Sequence, residues 1–120
     1  MVDPDRRGAE KRGRNAETMA VLWLRLKGYS ILDQRFKRAS GEIDIIAKRG
    51  KILAFIEVKQ RSNIVHAQSA VTERSWQRIA RTAELWAATR PYLRALDWRF
   101  DLIAVSVSNT PKHFRDYWRP

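Results

Sequence analysis

Two neighbouring segments that alternate between polar and apolar residues constrain the fold of this chain more than any other feature. Residues 41–47 read GEIDIIA and residues 52–59 read ILAFIEVK, with Arg49-Gly50 between them. Alternation with a period of two is typical of strands whose two faces differ, and a glycine-containing break between two such runs predicts a β-hairpin. In the first strand we expect one unbroken alternation, with even-numbered residues on one face and odd-numbered residues on the other.

Charged residues interrupt both strands where apolar side chains are expected. Asp44 interrupts the first strand, and Glu57 and Lys59 interrupt the second. Burial of a carboxylate costs several kcal/mol unless the group is paired or coordinated to a metal, so these positions need a compensating partner. The simpler interpretation is a salt bridge on the hairpin surface, in which Lys59 neutralises Glu57.

The length of the hairpin turn decides whether the two acids can meet. A two-residue turn at Arg49-Gly50 pairs Lys48 with Lys51 and makes Asp44 and Glu57 diagonal neighbours on one face, about 6–8 Å apart between their Cβ atoms. A four-residue loop keeps the same pairing. A three-residue loop would instead send the two carboxylates to opposite faces.

Two carboxylates and a lysine on one strand face suit a particular chemistry. Like charges at this distance disfavour joint ionisation of Asp44 and Glu57 unless a divalent cation lies between them. Mg²⁺ prefers hard oxygen ligands and takes few of them from protein, so such a pair is a candidate metal site. Lys59 can orient a water molecule or stabilise developing negative charge, which makes the three residues a minimal phosphodiester-cleaving set.

Helical and extended patterns alternate along the rest of the chain. A first helix is predicted from Ala16 to a stop at Gly28, and a second one from Thr72, whose hydroxyl can cap it, to a point before Pro91. Strands are predicted for residues 29–36 and 99–107, a loop for residues 61–70, and an aromatic segment that covers a sheet edge at residues 113–120. The order αβββαβ indicates the α/β fold class.

The length of the chain and the lack of cysteine limit its class. The 120 residues suffice for one domain, with a flexible basic N-terminal tail predicted for residues 1–11 and a single domain for residues 12–120. Without cysteine there is no disulfide framework and no thiolate chemistry. The apolar runs are too short to span a membrane and no secretory signal is recognisable, so the sequence predicts a cytoplasmic protein.

The charge of the chain points to a polyanionic partner. The 24 Lys and Arg residues against 13 Asp and Glu residues give a formal net charge of +11. Nucleic acid is favoured over an anionic membrane because no basic amphipathic anchor is visible. The candidate nucleic-acid contacts lie around the hairpin or at helical spacing in the second helix: Arg35, Lys37, Arg38, Arg61, Arg74, Arg78 and Arg81. Each of them, taken alone, is expected to be a solvated side chain, whereas together they are the candidate DNA footprint.

The hairpin also resembles a known superfamily. The run Gly41-Glu42-Ile43-Asp44, followed by FIEVKQR at residues 55–61, is similar to the signature of the PD-(D/E)XK nucleases, with Ile43 in place of the signature's proline. The chain resembles most closely the YraN-like family of small bacterial proteins, which are related to archaeal Holliday-junction resolvases. The likeness covers residues 12–107 and includes these further segments: Arg12-Gly13 with Glu17, Gly28-Tyr29, Ile31-Leu32, Ala70-Val71-Thr72 and Arg99-Phe100-Asp101.

This resemblance implies a fold and a set of site residues. The implied fold is a restriction-endonuclease-like core, with a central mixed β-sheet flanked by helices. The implied roles are metal binding by Asp44 and Glu57, with Mg²⁺ or Mn²⁺ as the cofactor, and catalysis by Lys59. Glu17 would be an additional catalytic acid from the first helix, because it lies on a helical flank that can approach the sheet. Alternatively, Glu17 pairs with Arg14 or with a loop arginine.

Three functions from different classes follow from these observations. The first is a metal-dependent endonuclease that acts on DNA, including branched or junction DNA. The second is a nucleic-acid-binding module with the same fold and little or no turnover, and the third is a basic protein-interaction domain with structural carboxylates. The likeness to junction resolvases also allows a homodimer. A steep loss of DNA affinity with added salt would favour the first two functions over the third.

Overall fold

The fold is an α/β arrangement in which one five-stranded sheet carries helices on both faces. The computed structural model describes the backbone of residues 4–106 and 110–120 and the side chains of residues 15–106 and 110–120. Within these residues the elements are, in chain order, α1 (Pro4–Leu26), β1 (Ser30–Arg38), β2 (Gly41–Arg49), β3 (Ile52–Gln60), α2 (Ile64–Ser69), α3 (Glu73–Ala88), α4 (Pro91–Arg94), β4 (Asp97–Val105) and β5 (Lys112–Trp118).

The strands lie in the sheet in the order of the sequence, β1-β2-β3-β4-β5. Neighbouring strands are antiparallel except for β3 and β4, which are parallel and are connected through α2, α3 and α4. A parallel pair needs such a crossover, whereas antiparallel neighbours can be joined by short turns. The sheet is therefore mixed, as predicted.

Two apolar layers hold the helices against the sheet. On one face, α1 contributes Ala16, Ala20, Val21 and Leu24 to a buried layer that includes Ile45. On the other face, α3 contributes an apolar stripe that packs against Phe55 and neighbouring residues; the stripe comprises Trp76, Ile79, Ala83, Trp86 and Ala87. The stripe matches the helical spacing in the sequence, and the side chain of Thr72 caps α3 as predicted by accepting from the Ser75 N–H.

The β2–β3 hairpin has the predicted two-residue turn, but the turn lies one residue further along. Arg49 pairs with Ile52 and Lys48 pairs with Leu53, so Gly50 and Lys51 form the turn and the expected pairing of Lys48 with Lys51 is wrong. The reason is the backbone of Gly50, which has a φ of 58°. A two-residue hairpin loop needs a positive φ at its first position, and glycine supplies it there without strain.

The predicted unbroken alternation of β2 is also wrong. Ile45 packs on the α1 face and Ile46 on the α3 face, but Ile43 lies on the α3 face as well. The alternation therefore shifts at Asp44. The register places Arg35 of β1 across from Asp44, and Arg35 has a left-handed φ of 52°. The irregular positions of β1 and β2 are therefore neighbours in the sheet.

Several elements extend beyond the predicted bounds. The backbone of α1 is helical from Pro4, a residue type favoured in a first helical turn, so most of the predicted tail is helical in backbone; its flexibility stays a prediction. Residues 61–70, predicted as a loop, contain α2, whose start is capped by Asn63. The predicted strand at residues 99–107 corresponds to β4, although residue 107 lies outside the described residues.

The C-terminal aromatic segment covers a sheet edge, as predicted, and does so as a strand. Residues of β5 pair with β4, and Trp118 stacks on Trp76 of α3 with ring centroids 5.9 Å apart. This adds a second strand after the crossover to the predicted αβββαβ order. In the part of the chain that the structure describes, no helix is long and apolar enough to cross a membrane.

We predict that Phe55→Ala destabilises the fold strongly. Phe55 is fully buried and its ring lies near Trp98 and Phe100, with centroid distances of 5.0 and 5.5 Å. Its truncation should lower the free energy of unfolding by about 3–5 kcal/mol, because it removes apolar contacts and leaves a cavity. Urea denaturation measures this change. Tyr92→Ala, at a site that is 92% exposed, is the matched control and should change the value by less than about 0.5 kcal/mol.

Candidate active site

Asp44 lies where β2 separates from β3. The described β2–β3 pairs end at Ile45 and Ile56, and the next residue of β2 is Asp44. One oxygen of its carboxylate, Oδ2, accepts a hydrogen bond from the backbone N–H of Val58 at 2.8 Å. A side chain thus replaces a strand carbonyl as the acceptor, which holds the Asp44 carboxylate against β3.

Glu57 lies directly beside Asp44. Only 9% of Glu57 is exposed, and its side chain faces the helix α3 side of the sheet, where it lines a cavity with Ile79. Burial raises the pKa of Glu57 well above its ordinary value, and the charge of Asp44 and a hydrogen bond between the two carboxyl groups raise it further. The sequence correctly predicts that the two acids meet, although they meet just beyond the last β2–β3 pair and not as diagonal residues of the predicted register.

Lys59 accompanies Glu57 on the same strand face. Its Nζ lies 3.6 Å from Glu57 Oε1, and 30% of the lysine side chain is exposed against 11% of the glutamate side chain. The positive charge lowers the pKa of Glu57, but burial and Asp44 outweigh it. The predicted salt bridge between Glu57 and Lys59 therefore exists, yet it does not neutralise the acid pair.

Glu17 approaches the same region from α1, where it makes an ion pair. Its Oε2 accepts from Arg35 Nε at 2.6 Å, while burial raises the pKa of Glu17 and the nearby charges of Asp44 and Glu42 raise it further. Arg35 is the residue with a left-handed backbone that lies across from Asp44 in the sheet. Pairing with an arginine is the alternative given above for Glu17, and the partner lies on a strand; the other partner considered, Arg14, has its side chain outside the described residues.

Glu42 is a residue that the motif reasoning did not include in the site. It lines the same cavity as Glu57 and Lys59, beside Gly41 at the start of β2. The cavity has a volume of about 190 Å³, and its far wall is formed by Val71, Ser75 and Arg78. Glu42 could have been predicted from the GEID run, because two acids that are two residues apart on one strand can both lie near one site. We call Glu17, Glu42, Asp44 and Glu57 the acidic cluster.

The predicted basic contacts separate into three groups. Arg35 and Arg78 belong to the site: Arg35 binds Glu17, and Arg78 lines the cavity while its Nε donates to the Ser40 carbonyl at 3.0 Å. Arg81, one turn further along α3, lines a different cavity with Trp98 and Trp118 and is not brought to the site. The remaining candidates are exposed: Lys37, Arg38, Arg61 and Arg74.

The donor set fits a hard divalent cation. Asp44 and Glu57 bring carboxylate oxygens together in a partly buried place, where their repulsion raises the affinity for protons or for a cation. Within residues 15–106 and 110–120, no group of three or more acidic, histidine or cysteine side chains is arranged to hold a metal ion. Mg²⁺ commonly takes one or two carboxylates and completes its shell with water and phosphate, so two acids are sufficient.

Comparison with known proteins gives one family. The model of the family described as "Uncharacterised protein family UPF0102" matches residues 16–105. A UPF0102 protein of Maricaulis maris is 46% identical over 115 residues, which cover 96% of this chain and 91% of the relative. UPF0102 proteins of Caulobacter vibrioides and Paramagnetospirillum magneticum are 48% and 43% identical and cover 92% of this chain, with 88% and 89% of the relatives matched. The matched region contains the whole acidic cluster.

We predict that Glu57→Gln removes a pH dependence of stability in metal-free protein. The raised pKa means that folded Glu57 binds a proton more tightly than the unfolded chain does. Wild-type stability therefore falls as the pH rises from about 4.3, the ordinary glutamate pKa, through the raised value of the folded state. Thermal unfolding in chelator across this range should show wild type losing stability relative to Glu57→Gln.

The exposed glutamate Glu84 gives the control for this prediction. Glu84→Gln removes one carboxylate outside the acidic cluster and should follow the wild-type pH profile. Parallel profiles for wild type and Glu57→Gln would contradict the raised pKa.

Proposed function

We propose a function for this chain from the premise that it belongs to the UPF0102 family, the YraN-like family that its sequence resembles. The function is that of a metal-dependent endonuclease that cuts DNA phosphodiester bonds, with the PD-(D/E)XK superfamily as its wider relationship. Neither the family description nor the names of the relatives assign an activity, so the proposal depends on the chemistry of the site.

The observation that carries the proposal is the contact between Asp44 and Glu57. Two carboxyl groups that share a partly buried place and a hydrogen bond are unfavourable in the ionised state. A structural role would be served better by an acid paired with a base or by an apolar residue. The arrangement is understandable if a divalent cation binds both acids and makes their ionised forms stable.

Asp44 and Glu57 would hold the cation, and the hydrogen bond from Val58 N–H would fix the position of Asp44. When bound, Mg²⁺ or Mn²⁺ would neutralise charge on the attacked phosphodiester and help to activate the attacking water. The carboxylates must be ionised to bind the ion, so metal affinity should rise with pH through the raised pKa of Glu57.

The cationic side chains of the site have roles of their own. Lys59 can place its ammonium group beside a non-bridging phosphoryl oxygen, because it is on the same face as Glu57 and still partly exposed. Arg78, on the opposite wall of the cavity, can hold a phosphate oxygen. Glu17 would act as an additional acid only after its ion pair with Arg35 opens.

The charge of the chain supports nucleic acid as the substrate. A net charge of +11 attracts a phosphate backbone, and exposed basic residues lie on strands and helices around the acidic cluster. DNA is proposed on the resemblance to nucleases, and branched or junction DNA on the resemblance to resolvases. A homodimer belongs to the same part of the proposal, since it would present two such sites to a junction.

A nucleic-acid-binding module with little or no turnover is the second candidate. The observation that favours it is the ion pair between Glu17 and Arg35, which occupies the acid proposed for catalysis. Such a module would bind DNA with the same steep salt dependence. It would not cleave DNA, whether or not a divalent cation is present.

We predict that divalent cations bind at Asp44 and Glu57. Titration calorimetry with Mn²⁺ and Mg²⁺ should show one site in wild type, and saturation at about 100 times the dissociation constant should stabilise the fold by about 2.7 kcal/mol. Asp44→Asn and Glu57→Gln should abolish binding because each removes an anionic ligand. Glu84→Gln, which removes an exposed carboxylate, should bind like wild type; equal binding by all variants would contradict the site.

We predict further that Lys59→Met abolishes Mn²⁺-dependent cleavage of DNA. The substitution keeps the aliphatic part of the side chain and removes the charge, so DNA affinity should change little while the rate falls by about 10²-fold or more. Gel assays on linear and branched DNA measure the rate. Lys51→Met removes an exposed lysine at the hairpin turn and should retain activity.

This pair of variants separates the two candidate functions. Activity that is equal in wild type and Lys59→Met would come from a contaminating nuclease and would refute the catalytic proposal. Binding without cleavage in every variant would instead favour the binding module.

A further inference from the structure

A second cluster of charged residues lies on the α1 face of the sheet, at the opposite end of β2 from Asp44. Asp44 is near the start of β2, whereas Arg49 is its last residue. Arg99 pairs in register with Ala54, three residues before Glu57 on β3, and its side chain binds Tyr29 of the α1-side layer. This cluster is therefore separate from the acidic cluster.

A fully buried carboxylate anchors the cluster. Asp101 Oδ1 accepts from Arg99 Nε and from the backbone N–H of Asp116, both at 2.9 Å. Its Oδ2 accepts from Arg99 Nη2 at 2.8 Å and from His113 Nε2 at 2.7 Å. Burial alone would raise the pKa of Asp101, but these hydrogen bonds outweigh it and lower the pKa. With four donors on two oxygens, the hydrogen-bond acceptor sites of Asp101 are filled.

His113 connects Asp101 to Lys27 through hydrogen bonds at its two ring nitrogens. The His113 side chain is only 1% exposed, and its Nδ1 lies 2.9 Å from Lys27 Nζ. A lysine ammonium group can only donate, so Nδ1 is the acceptor and Nε2 carries the proton that is donated to Asp101. A surface lysine ordinarily moves freely in solvent, whereas Lys27 is fixed at the end of α1 by two buried side chains. The geometry therefore pre-organises its charge.

Further cations surround Lys27, and the charge of Asp101, which raises the pKa of Lys27, does not outweigh them. Arg49 and Arg99 both lie over the Tyr29 ring, with distances of 5.7 and 5.8 Å to its centroid. Partial burial lowers the pKa of Lys27, and the positive charges of Arg115, Arg49 and Arg99 lower it further. In the described ranges, none of Lys27, Arg49 and Arg115 forms an ion pair with a carboxylate. We call these three residues the basic cluster.

We propose that the basic cluster is a binding site for a phosphate group. Lys27 is held by the His113–Asp101 pair, Arg49 lies over the neighbouring Tyr29 ring, and Arg115 is close enough to repel Lys27. A phosphate oxyanion has the charge and the acceptor number to bind such a group of cations. The phosphate can come from a nucleic-acid backbone or from free phosphate, which share this chemistry. The site goes beyond the proposed nuclease and depends neither on a divalent cation nor on cleavage.

The two histidines of the chain provide the test. In nuclear magnetic resonance spectra of the full chain, inorganic phosphate should shift the imidazole nitrogens of His113, since Lys27 donates to the ligand and its hydrogen bond to His113 Nδ1 changes. His66 is exposed and belongs to α2, so its unchanged signals serve as the internal control. A short oligothymidylate is the second probe: saturation at a lower phosphate concentration than with inorganic phosphate assigns the site to nucleic acid, and the reverse order assigns it to free phosphate.

Variants of equal charge decide whether the cluster itself is responsible. Arg49→Gln with Arg115→Gln should weaken the affinity for the better probe by about tenfold or more, because charged hydrogen bonds are lost. Lys51→Gln with Lys112→Gln removes two exposed lysines outside the cluster and should change the affinity less than about twofold. Lys27→Met is an independent variant that should repeat the loss if the double variant fails to fold.

Two results would overturn the proposal. One is an unchanged His113 spectrum with both probes, and the other is equal affinity in the cluster and control variants. Neither result affects metal binding at Asp44 and Glu57, so failure of this site and failure of the proposed nuclease are distinguishable.

Discussion

The hydrogen bond from Val58 N–H to the Asp44 carboxylate is the interaction on which the candidate site depends. It occurs where the β2–β3 ladder ends and the alternation of β2 shifts. A strand carbonyl at this point would continue the ladder and leave no reason for an acid beside Glu57. At this point the acceptor is a side chain, the described β2–β3 pairs end, and the two carboxyl groups come into contact in a partly buried place beside the cavity that Glu57 lines. The local disruption of the sheet and the contact between the two acids thus occur at the same place.

The sequence predicted correctly that Asp44 and Glu57 lie close together, although the predicted pairing of individual residues in the hairpin was wrong. The turn moved by one residue because Gly50 takes the first turn position, but a two-residue turn retains the parity that keeps Asp44 and Glu57 on compatible faces. The α/β class, the capped helix α3 and the covered sheet edge were also predictable, since each depends on local periodicity or capping. The helix α2 was not, because its six residues are too few for a clear periodic pattern.

The contacts that sequence reasoning missed link residues far apart in the chain. Lys27 and His113 are 86 residues apart, and Trp86 donates its indole N–H to Asp33 over a separation of 53 residues. Periodicity identifies the buried face of an element but not its partner across the sheet, so His113 gave no signal as an isolated histidine. The partner of Glu17 could not be predicted for a related reason: Arg35 is 18 residues away, and it has a left-handed backbone inside a strand, a conformation that propensity does not predict for arginine.

In both the acidic cluster and the basic cluster, burial and neighbouring like charges disfavour the ionised form of one side chain. In one, burial and a neighbouring acid favour the protonated form of Glu57; in the other, burial and neighbouring arginines favour the neutral form of Lys27. Each arrangement destabilises the charged groups of the folded chain, and pairing the clusters with each other would relieve both. The fold keeps the two clusters apart, because Asp44 is near the start of β2 and Glu57 lines a cavity on the α3 face, whereas Arg49 ends β2 beside Tyr29 of the α1-side layer. The proposed ligands, a divalent cation and a phosphate group, would each bind only the folded chain, and their binding would therefore stabilise the fold.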